Sequence, residues 1–193
     1  MTGASRGIGA ATALALAQRG IAGVLAVRDP AAARAAADAV KQLGVACMVE
    51  TCDVADYASV QRCIANVLAA WGRLDIVINN AGQIDPQGPL AQTDPAEWAE
   101  AISVNLLGAY NVIHAALPEL LPRQGVVINV STVPAHNPLQ GRSASCPSPA
   151  GLYVLIHATL HEYGNQVLAV FQFHPRLVES SLSTRSPPRY RHA

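Results

Sequence analysis

The amino-acid sequence predicts an α/β protein with a doubly wound parallel sheet and helices on both faces. Short apolar runs rich in β-branched residues alternate with alanine-rich stretches, which is typical of repeated strand–helix–strand units. A length of 193 residues with 51% hydrophobic content is enough to bury the core of one domain. The chain also opens on a glycine-rich turn that leads directly into an apolar helix.

The alternation predicts five helices and five strands in chain order. The helices are predicted over residues 7–19, 31–43, 59–71, 96–121 and 150–163, and the strands over 24–28, 46–51, 74–79, 126–130 and 167–173. The strand at 74–79 contains the run Leu-Asp-Ile-Val-Ile, which suits a strand buried on both faces. Residues 1–179 are predicted to form the domain. Residues 180–193, where Ser, Thr, Pro and Arg dominate, are predicted to form a disordered tail.

The spacing of the glycine-rich turn suits a dinucleotide phosphate site. Gly3 would permit a sharp turn, Gly7 a close approach of the backbone to a pyrophosphate, and Gly9 close packing of the following helix. The phosphates would lie at the helix N-terminus, where free N–H groups and the helix dipole favour an anion. The predicted phosphate loop comprises Gly3, Ser5, Arg6, Gly7, Ile8 and Gly9. A tight turn with only a structural role remains an alternative.

The end of the next predicted strand bears on which dinucleotide binds. An acidic residue there would accept a hydrogen bond from a ribose 2′-hydroxyl, but this strand ends Ala-Val-Arg at Arg28. Arg28 and Arg6 could together hold a 2′-phosphate through charge-assisted contacts. The sequence therefore favours NADP(H) over NAD(H) as the cofactor. The neighbouring Asp29 favours NAD(H), and a solvated Arg28 remains an alternative.

Further motifs accompany the turn, in the order and spacing of one known family. They are Asp53-Val54, Asn79-Asn80-Ala81-Gly82, Val104-Asn105-Leu106-Leu107-Gly108, Ile128-Asn129-Val130-Ser131-Thr132 and the segment 175–180. On these motifs nearly the whole chain resembles the short-chain dehydrogenase/reductase family, whose fold is Rossmann-like. The resemblance implies that Asp53 and Val54 flank the adenine. It also implies that Asn80, Ala81 and Gly82 line the cofactor and steady the central sheet.

The resemblance also implies a chemistry, which is hydride transfer between a nicotinamide and a carbonyl or alcohol. In the family a tyrosine donates the proton, a lysine four residues later lowers the tyrosine pKa, a serine positions the carbonyl oxygen and an asparagine supports a water relay. Asn105 matches the asparagine and Thr132 the serine, but Ser145 and Pro149 occupy the tyrosine and lysine positions. A serine hydroxyl is a far weaker acid than a phenol, and proline carries neither charge nor donor. We therefore expect impaired catalysis.

No other residue is an evident replacement for the missing pair. The one lysine, Lys41, lies on the second predicted helix, far in sequence from the cleft. Tyr153 and His157 are four residues apart on one helix face, but they lie two turns beyond the tyrosine position. Cys146 has no basic sequence neighbour that would lower its thiol pKa. Pro149 is also expected to hold Ser148 extended, so that the first turn of this helix differs locally.

Two departures from the family concern the ends of the sequence. The family begins with a central strand that feeds the glycine turn, whereas here only Met1 precedes Thr2, so we expect the first strand to be missing and the start to be truncated. Its loss would leave backbone groups of the two flanking strands unpaired. Further on, Pro175-Arg176 replaces the family's Pro-Gly turn and Ser180 takes a position often held by threonine. A polar tail then replaces the last strand and the substrate-covering helices.

Composition limits the partners and the location. The formal net charge is zero and charged residues are 13%, which argues against binding to nucleic acid or to a membrane surface. Four cysteines without CxxC spacing, no signal-like start and no long apolar segment favour reduced thiols and a cytoplasmic location, and no metal site is predicted.

Three hypotheses about function remain open. The first is a catalytically impaired NADP(H)-binding protein. The second is an active NADP-dependent oxidoreductase for a small carbonyl or alcohol, with a non-standard proton donor. The third is a non-catalytic subunit that forms a homo-oligomer, or a hetero-oligomer with a family relative.

Overall fold

The computed structural model describes residues 1–131, 143, 147–166, 168–175 and 178. All ten predicted elements are present, with shifted ends, and the long helix predicted over 96–121 is divided. The helices are α1 (Gly7–Ala17), α2 (Arg34–Gln42), α3 (Tyr57–Trp71), α4 (Pro95–Ile102), α5 (Gly108–Leu120) and α6 (Pro147–Tyr163). The strands are β1 (Gly23–Val27), β2 (Cys47–Thr51), β3 (Ile76–Asn79), β4 (Val126–Val130) and β5 (Ala169–Phe173). The predicted tail, 180–193, lies outside the described residues.

Capping residues explain several helix ends. The Asp56 carboxylate accepts the N–H of Ala58 at 3.0 Å, so α3 begins two residues before its predicted start. Asp94 caps α4 in the same way, by accepting two backbone N–H groups ahead of a proline in the first turn. α3 ends at Gly72, whose φ angle of 67° favours glycine.

The strands pair in parallel in two groups, ordered β2-β1 and β3-β4-β5. Residues 1–3 lie between β1 and β3. The N–H of Thr2 donates to the carbonyl of Ile78 at 3.0 Å, and the N–H of Gly3 to that of Ala26 at 2.9 Å. Ala26 in turn donates its N–H to the carbonyl of Met1 at 2.9 Å. A short piece of backbone thus occupies the place of the strand expected to be missing, and it joins the two groups.

Helices cover opposite faces of the sheet. On β1, Ala26 packs in the cluster built around α3, α5 and α6, whereas its neighbours Leu25 and Val27 pack in the cluster built around α1 and α2. Successive strand residues point to opposite faces, so the two clusters lie on either side of the sheet. This arrangement confirms the predicted doubly wound α/β class.

One face of the β3-β4-β5 group is much less covered than the other. Val77, Val127 and Val170 share one register position and are buried against α5 and α6. On the opposite face Ile76 is 37% exposed and Phe171 is 57% exposed. The prediction that strand 74–79 is buried on both faces is therefore wrong at Ile76, because the buried side chains of α1 and α2 cluster with β1 and β2 and only the first turn of α1 reaches the end of β3.

The long helix predicted over 96–121 contains a wide turn. α4 leads into a π-helical turn, Ser103–Leu107, before α5 begins. The helical run Pro95–Arg123 is long and apolar enough to span a membrane by length and composition, contrary to the expectation of no long apolar segment. Its side chains Val112, Ile113 and Leu120 are instead buried against the sheet. Core packing therefore accounts for the apolar character of this run.

Candidate functional site

The glycine-rich turn has a geometry that requires glycine at three positions. Gly3 and Gly7 have positive φ angles of 63° and 57°, which side chains disfavour. A Cβ on Gly3 would lie 2.8 Å from the Cα of Ala81. A Cβ on Gly9 would meet the carbonyl oxygen of Gly3 and would lie 2.7 Å from Nδ2 of Asn80. The start of α1 therefore packs directly on the turn and on the end of β3.

Thr2 and Asn80 join this turn to the end of β3. The hydroxyl of Thr2 accepts the N–H groups of Asn80 at 3.0 Å and of Ala81 at 3.1 Å. Nδ2 of Asn80 donates to the carbonyls of Thr2 and Gly3, both at 3.1 Å. Sequence reasoning gave Thr2 no role of its own. The sequence signal for this role is a hydroxyl-bearing residue directly before the first glycine of the turn.

The N-terminus of α1 is free to meet an anion. α1 starts at Gly7, after the extended residue Arg6, whose side chain makes no capping hydrogen bond to the described first turn. The first turn also carries no acidic residue. Uncapped N–H groups and the helix dipole together favour a phosphate at this end. Ile8 and Gly9 lie in this first turn, and Ser5 lies half-buried just before it.

Two arginines lie near this end of the helix and sheet. Arg6 and Arg28 are both exposed, and neither forms an ion pair with another described residue. Arg28 follows the last residue of β1. The next residue, Asp29, uses one carboxylate oxygen to accept the N–H of Ala31 at 2.9 Å, as the cap of a short 3-10 turn. Within the part of the chain that the structure describes, the two guanidinium groups therefore have no ion-pair partner, whereas one oxygen of the Asp29 carboxylate has a backbone partner.

Asp53 and Val54 form the loop between β2 and α3. The N–H of Asp53 donates to the hydroxyl of Ser59 at 3.1 Å, which fixes the loop on α3. Val54 is buried, and its carbonyl accepts Nδ2 of Asn111 at 2.9 Å. A Cβ on Gly108 would lie 2.6 Å from Cγ2 of Val54, so α5 must carry glycine there. Sequence reasoning quoted Gly108 within a motif without identifying this contact.

Asn105 lies in the π-helical turn between α4 and α5. Its Oδ1 accepts the N–H of Gln83 at 2.8 Å, and its Nδ2 donates to the carbonyl of Gln83 at 2.7 Å. The same Oδ1 would lie 3.5 Å from a Cβ on Gly82. The side chain of Asn105 is therefore fixed against the segment that follows β3. Inserted π turns are frequent at functional sites.

Of the four catalytic positions, two lie within the described residues. Asn105 and Pro149 are described, and Thr132 and Ser145 lie outside the described part of the chain. Pro149 is buried in the first turn of α6. α6 starts at Pro147, so the predicted start at residue 150 and the expectation of an extended Ser148 are both wrong. Proline is tolerated in a first turn because the N–H groups there have no partner within the helix.

The candidates for replacing the missing pair occupy other places. Lys41 lines a cleft with Cys47 and Trp71 at the amino end of β2, whereas the glycine turn lies at the carboxyl ends of the strands. The rings of Tyr153 and His157 lie tilted at 56° with centroids 4.3 Å apart, and both side chains are exposed on α6. Cys146 lies outside the described residues.

A buried amide pair lies beneath the site, and sequence reasoning missed it. Asn79 and Asn129 occupy the same register position on β3 and β4, and Nδ2 of Asn79 donates to Oδ1 of Asn129 at 2.9 Å. Both residues are at least nine-tenths buried. The pair links the carboxyl ends of two central strands. The signal in the sequence is a polar residue at the last or second-last position of two otherwise apolar strands.

Comparison with protein families decides the classification. The family model described as short chain dehydrogenase matches residues 1–190. The chain belongs to this family. The short chain dehydrogenase mpl6 of Monascus purpureus is 39% identical over 194 aligned residues, which cover 97% of this chain and 66% of that protein. Other curated relatives that the chain matches are covered to 60% and 40% of their length, so the chain spans less than two thirds of these proteins.

Solved structures agree with this assignment. A metagenomic short-chain oxidoreductase in complex with NADP is 34% identical, with a TM-score of 0.87 over 91% of this chain and 80% of that one. An NAD+-bound xylitol dehydrogenase is 25% identical, with a TM-score of 0.86 over 90% of this chain and 67% of that one. Solved structures similar to this chain therefore include complexes with either dinucleotide. The preference of this chain for NADP(H) remains a prediction.

Proposed function

We propose that this short-chain dehydrogenase binds NADP(H) and has strongly impaired hydride-transfer activity. The observation that carries the proposal is the contrast between an intact glycine turn and a buried proline at the lysine position. The turn has the φ angles, the close contacts and the uncapped helix N-terminus that a dinucleotide phosphate requires. Pro149 has no charge with which to lower the pKa of a proton donor.

The residues present fit a dinucleotide. The turn from Gly3 to Gly9 would hold the pyrophosphate, with Ser5, Arg6 and Ile8 lining it. Asp53 and Val54 would flank the adenine, and Asn80, Ala81 and Gly82 would line the cofactor from the end of β3. The cofactor, when bound, supplies the carbon that donates or accepts the hydride. The protein's part is to orient that carbon and to supply a proton.

The preference for NADP(H) rests on the two arginines. Arg6 and Arg28 are exposed and lack ion-pair partners among the described residues, so both are available to a 2′-phosphate. Asp29, the residue that favoured NAD(H) in the sequence, caps a turn instead.

The impairment rests on the positions of Ser145 and Pro149. Of the family's four catalytic groups, the asparagine and the serine would have counterparts in Asn105 and Thr132. The tyrosine that donates the proton and the lysine charge that lowers its pKa would both be missing. General acid catalysis contributes about 10² to 10⁴ in rate, so a loss of this size is expected. Lys41 cannot supply the missing charge, because it lies at the opposite end of the strands.

An interaction subunit is the second candidate, and one surface favours it. Leu107 at the end of the π-helical turn, Tyr110 on α5, and Tyr153 and Val154 on α6 are all exposed. Exposed apolar side chains in this number favour a protein partner, either a second copy or a family relative. Sedimentation of the purified chain tests this candidate, and a monomer at micromolar concentration would argue against a homo-oligomer.

Residual turnover through Tyr153 is the third candidate, and Tyr153→Phe would abolish it.

The cofactor proposal is tested by calorimetric titration of the chain with NADPH, with NADH as competitor. Arg28→Ala is expected to weaken NADPH binding about tenfold, because a charge-assisted contact is lost. The matched control is Arg19→Ala, at the far end of α1, whose guanidinium contacts a backbone carbonyl. NADPH affinity unchanged by Arg28→Ala, or tighter binding of NADH, would overturn the preference. No binding of either dinucleotide to the folded chain would overturn the cofactor proposal itself.

Location and other partners stay predictions. We propose a cytoplasmic location with reduced thiols and no binding to nucleic acid, on the basis of net charge and cysteine spacing. Cell fractionation of a tagged chain tests the location. Retention on a heparin column at physiological salt would contradict the absence of polyanion binding.

A further inference from the structure

Three amide side chains form a row across the carboxyl ends of β3, β4 and β5. Asn79 pairs with Asn129, and Asn129 pairs with Gln172, at one register position of the parallel strands. Because side chains alternate along a strand, the row lies on the same face as the buried valines two residues earlier, against α5 and α6. Neighbouring strands are about 4.8 Å apart, so adjacent amides are within reach of one another. The row is therefore a polar layer in a largely apolar core.

The hydrogen bonds of this row are incomplete. Nδ2 of Asn79 donates to Oδ1 of Asn129 at 2.9 Å. Three other buried atoms of the row have no hydrogen-bond partner among the described residues, namely Oδ1 of Asn79, Nδ2 of Asn129 and Nε2 of Gln172. Asn129 is fully buried and Asn79 is 6% exposed, so bulk solvent does not satisfy these two amides. An unpaired buried polar group costs free energy, and the large majority of buried side-chain polar atoms in folded proteins are paired.

The unpaired atoms define the chemistry of the partner that would satisfy them. The two nitrogens are donors and the oxygen is an acceptor. Two donors cannot bond to each other, so an acceptor is needed between Asn129 and Gln172. An anion would be repelled by the oxygen of Asn79, and a cation by the two N–H groups. A water molecule accepts two hydrogen bonds and donates one here, and buried waters typically make about three hydrogen bonds.

We propose that Asn79, Asn129 and Gln172 bind one buried water molecule. The water accepts from Nδ2 of Asn129 and from Nε2 of Gln172, and it donates to Oδ1 of Asn79. Each of the three unpaired atoms then has a partner, and the water has three. The site takes no part in the proposed cofactor contacts, so it stands independently of the proposed function.

The proposed water lies beneath the candidate functional site. Asn79 directly precedes Asn80, whose side chain contacts the glycine turn. Just beyond the row, the N–H of Ser131 donates to the carbonyl of Phe173 at 2.9 Å and joins the ends of β4 and β5. The water adds a side-chain link to this backbone link and extends it to β3. It therefore holds together the three strand ends on which the site is built.

The first measurement is a high-resolution crystal structure of the 193-residue chain. The expected result is one ordered water about 2.7–3.2 Å from Nδ2 of Asn129, from Nε2 of Gln172 and from Oδ1 of Asn79. Absence of ordered density between the three amides would overturn the proposal. A direct hydrogen bond from Asn129 to the amide oxygen of Gln172 would overturn it as well, because the donors would then need no water.

The second measurement is the sign of the stability change in Gln172→Met, which removes the amide and keeps a similar side-chain volume. If the water is bound, the variant loses a hydrogen bond to it, and the urea midpoint of unfolding should fall. If Nε2 has no partner in the folded chain, removing this donor relieves a desolvation cost. An unchanged or raised midpoint would therefore overturn the proposal. The matched control is Gln61→Met, at an exposed position of α3, whose midpoint should change less.

The third measurement is hydrogen exchange of the Ser131 backbone N–H under native conditions. In Gln172→Met this exchange is expected to be about fivefold faster than in the parent chain, the effect of losing one hydrogen bond. The N–H of Ala26, which is hydrogen-bonded on β1, reports on global unfolding and should change less. Equal exchange of Ser131 in the variant and the parent, or equal acceleration at Ser131 and Ala26, would refute the link between the strand ends.

Discussion

The nucleotide half and the catalytic half of this sheet differ in how completely they keep the features of the family. The nucleotide half comprises β1, the glycine turn and α1. Every predicted cofactor residue that the structure describes lies close to this turn or at the end of a neighbouring strand. In the second half, around β4, β5 and α6, a proline is buried at the lysine position and one face of the sheet is exposed. Under the proposed function, the contrast means that cofactor binding and chemistry depend on separate sets of residues, which have diverged within one domain.

The largest effect is expected when tyrosine and lysine are restored at positions 145 and 149. In the double variant Ser145→Tyr with Pro149→Lys, turnover of a carbonyl substrate panel with NADPH is expected to rise about 10²-fold or more, because the acid and its activating charge return. Steady-state kinetics measures the change. Ser145→Phe with Pro149→Lys is the matched control, since it adds the ring without the hydroxyl. Equal rates in the two double variants, or in the double variant and the parent chain, would contradict the proposed cause of impairment.

The next largest effect is expected in the nucleotide half, at Gly9. A methyl group there would meet the carbonyl of Gly3 and lie 2.7 Å from Nδ2 of Asn80. Gly9→Ala is therefore expected to lower the free energy of unfolding by about 1–3 kcal/mol and to weaken NADPH binding. Denaturant titration and calorimetry measure the two effects. The control is Gly23→Ala, whose Cβ would have no atom within 4 Å. Similar losses in both variants would show that the close contact is not the cause.

The buried and the exposed face of the β3-β4-β5 group should also differ in how much a substitution lowers the free energy of unfolding. Val127 is fully buried on β4, and Val127→Ala is expected to cost about 2 kcal/mol of unfolding free energy. Phe171 is 57% exposed on the neighbouring strand, and Phe171→Thr is expected to change it by less than about 0.5 kcal/mol. Denaturant titration compares the two. A large loss in Phe171→Thr would mean that this face is covered in solution.

The smallest effect is expected outside both sites, at the ion pair that precedes β3. Hydrogen bonding to Arg73 lowers the pKa of Asp75, through contacts of 2.7 Å and 2.9 Å. A carboxyl group with a lowered folded-state pKa stabilises the protein above its unfolded pKa, and this stabilisation is lost as the pH falls through the folded pKa. Asp75→Asn should therefore flatten the acid limb of the stability curve slightly, because exposed pairs contribute little. Asp38→Asn, on α2, is the control.

Much of this structure could be predicted from the sequence, because local patterns determine it. Apolar periodicity predicted the five strands of the described residues and all their α-helices, except that α4 and α5 were predicted as one helix. Glycine spacing predicted the turn that Gly3, Gly7 and Gly9 form. The π turn at Asn105 could not be predicted, because its residues have ordinary helical composition. The contact of Val54 with Gly108 joins positions far apart in sequence. The exposure of Ile76 depends on which strands α1 and α2 cover, which periodicity does not specify.

The measurement that tests the central claim most directly compares NADPH binding by the parent chain and by the double variant Ser145→Tyr with Pro149→Lys. If the two halves are separate, both proteins bind NADPH saturably at one site per chain. Their dissociation constants should then agree within about tenfold, the contribution of one additional hydrogen bond, while only the variant turns over substrate. NADPH binding that appears only in the double variant would contradict the account, because cofactor binding would then depend on the catalytic half.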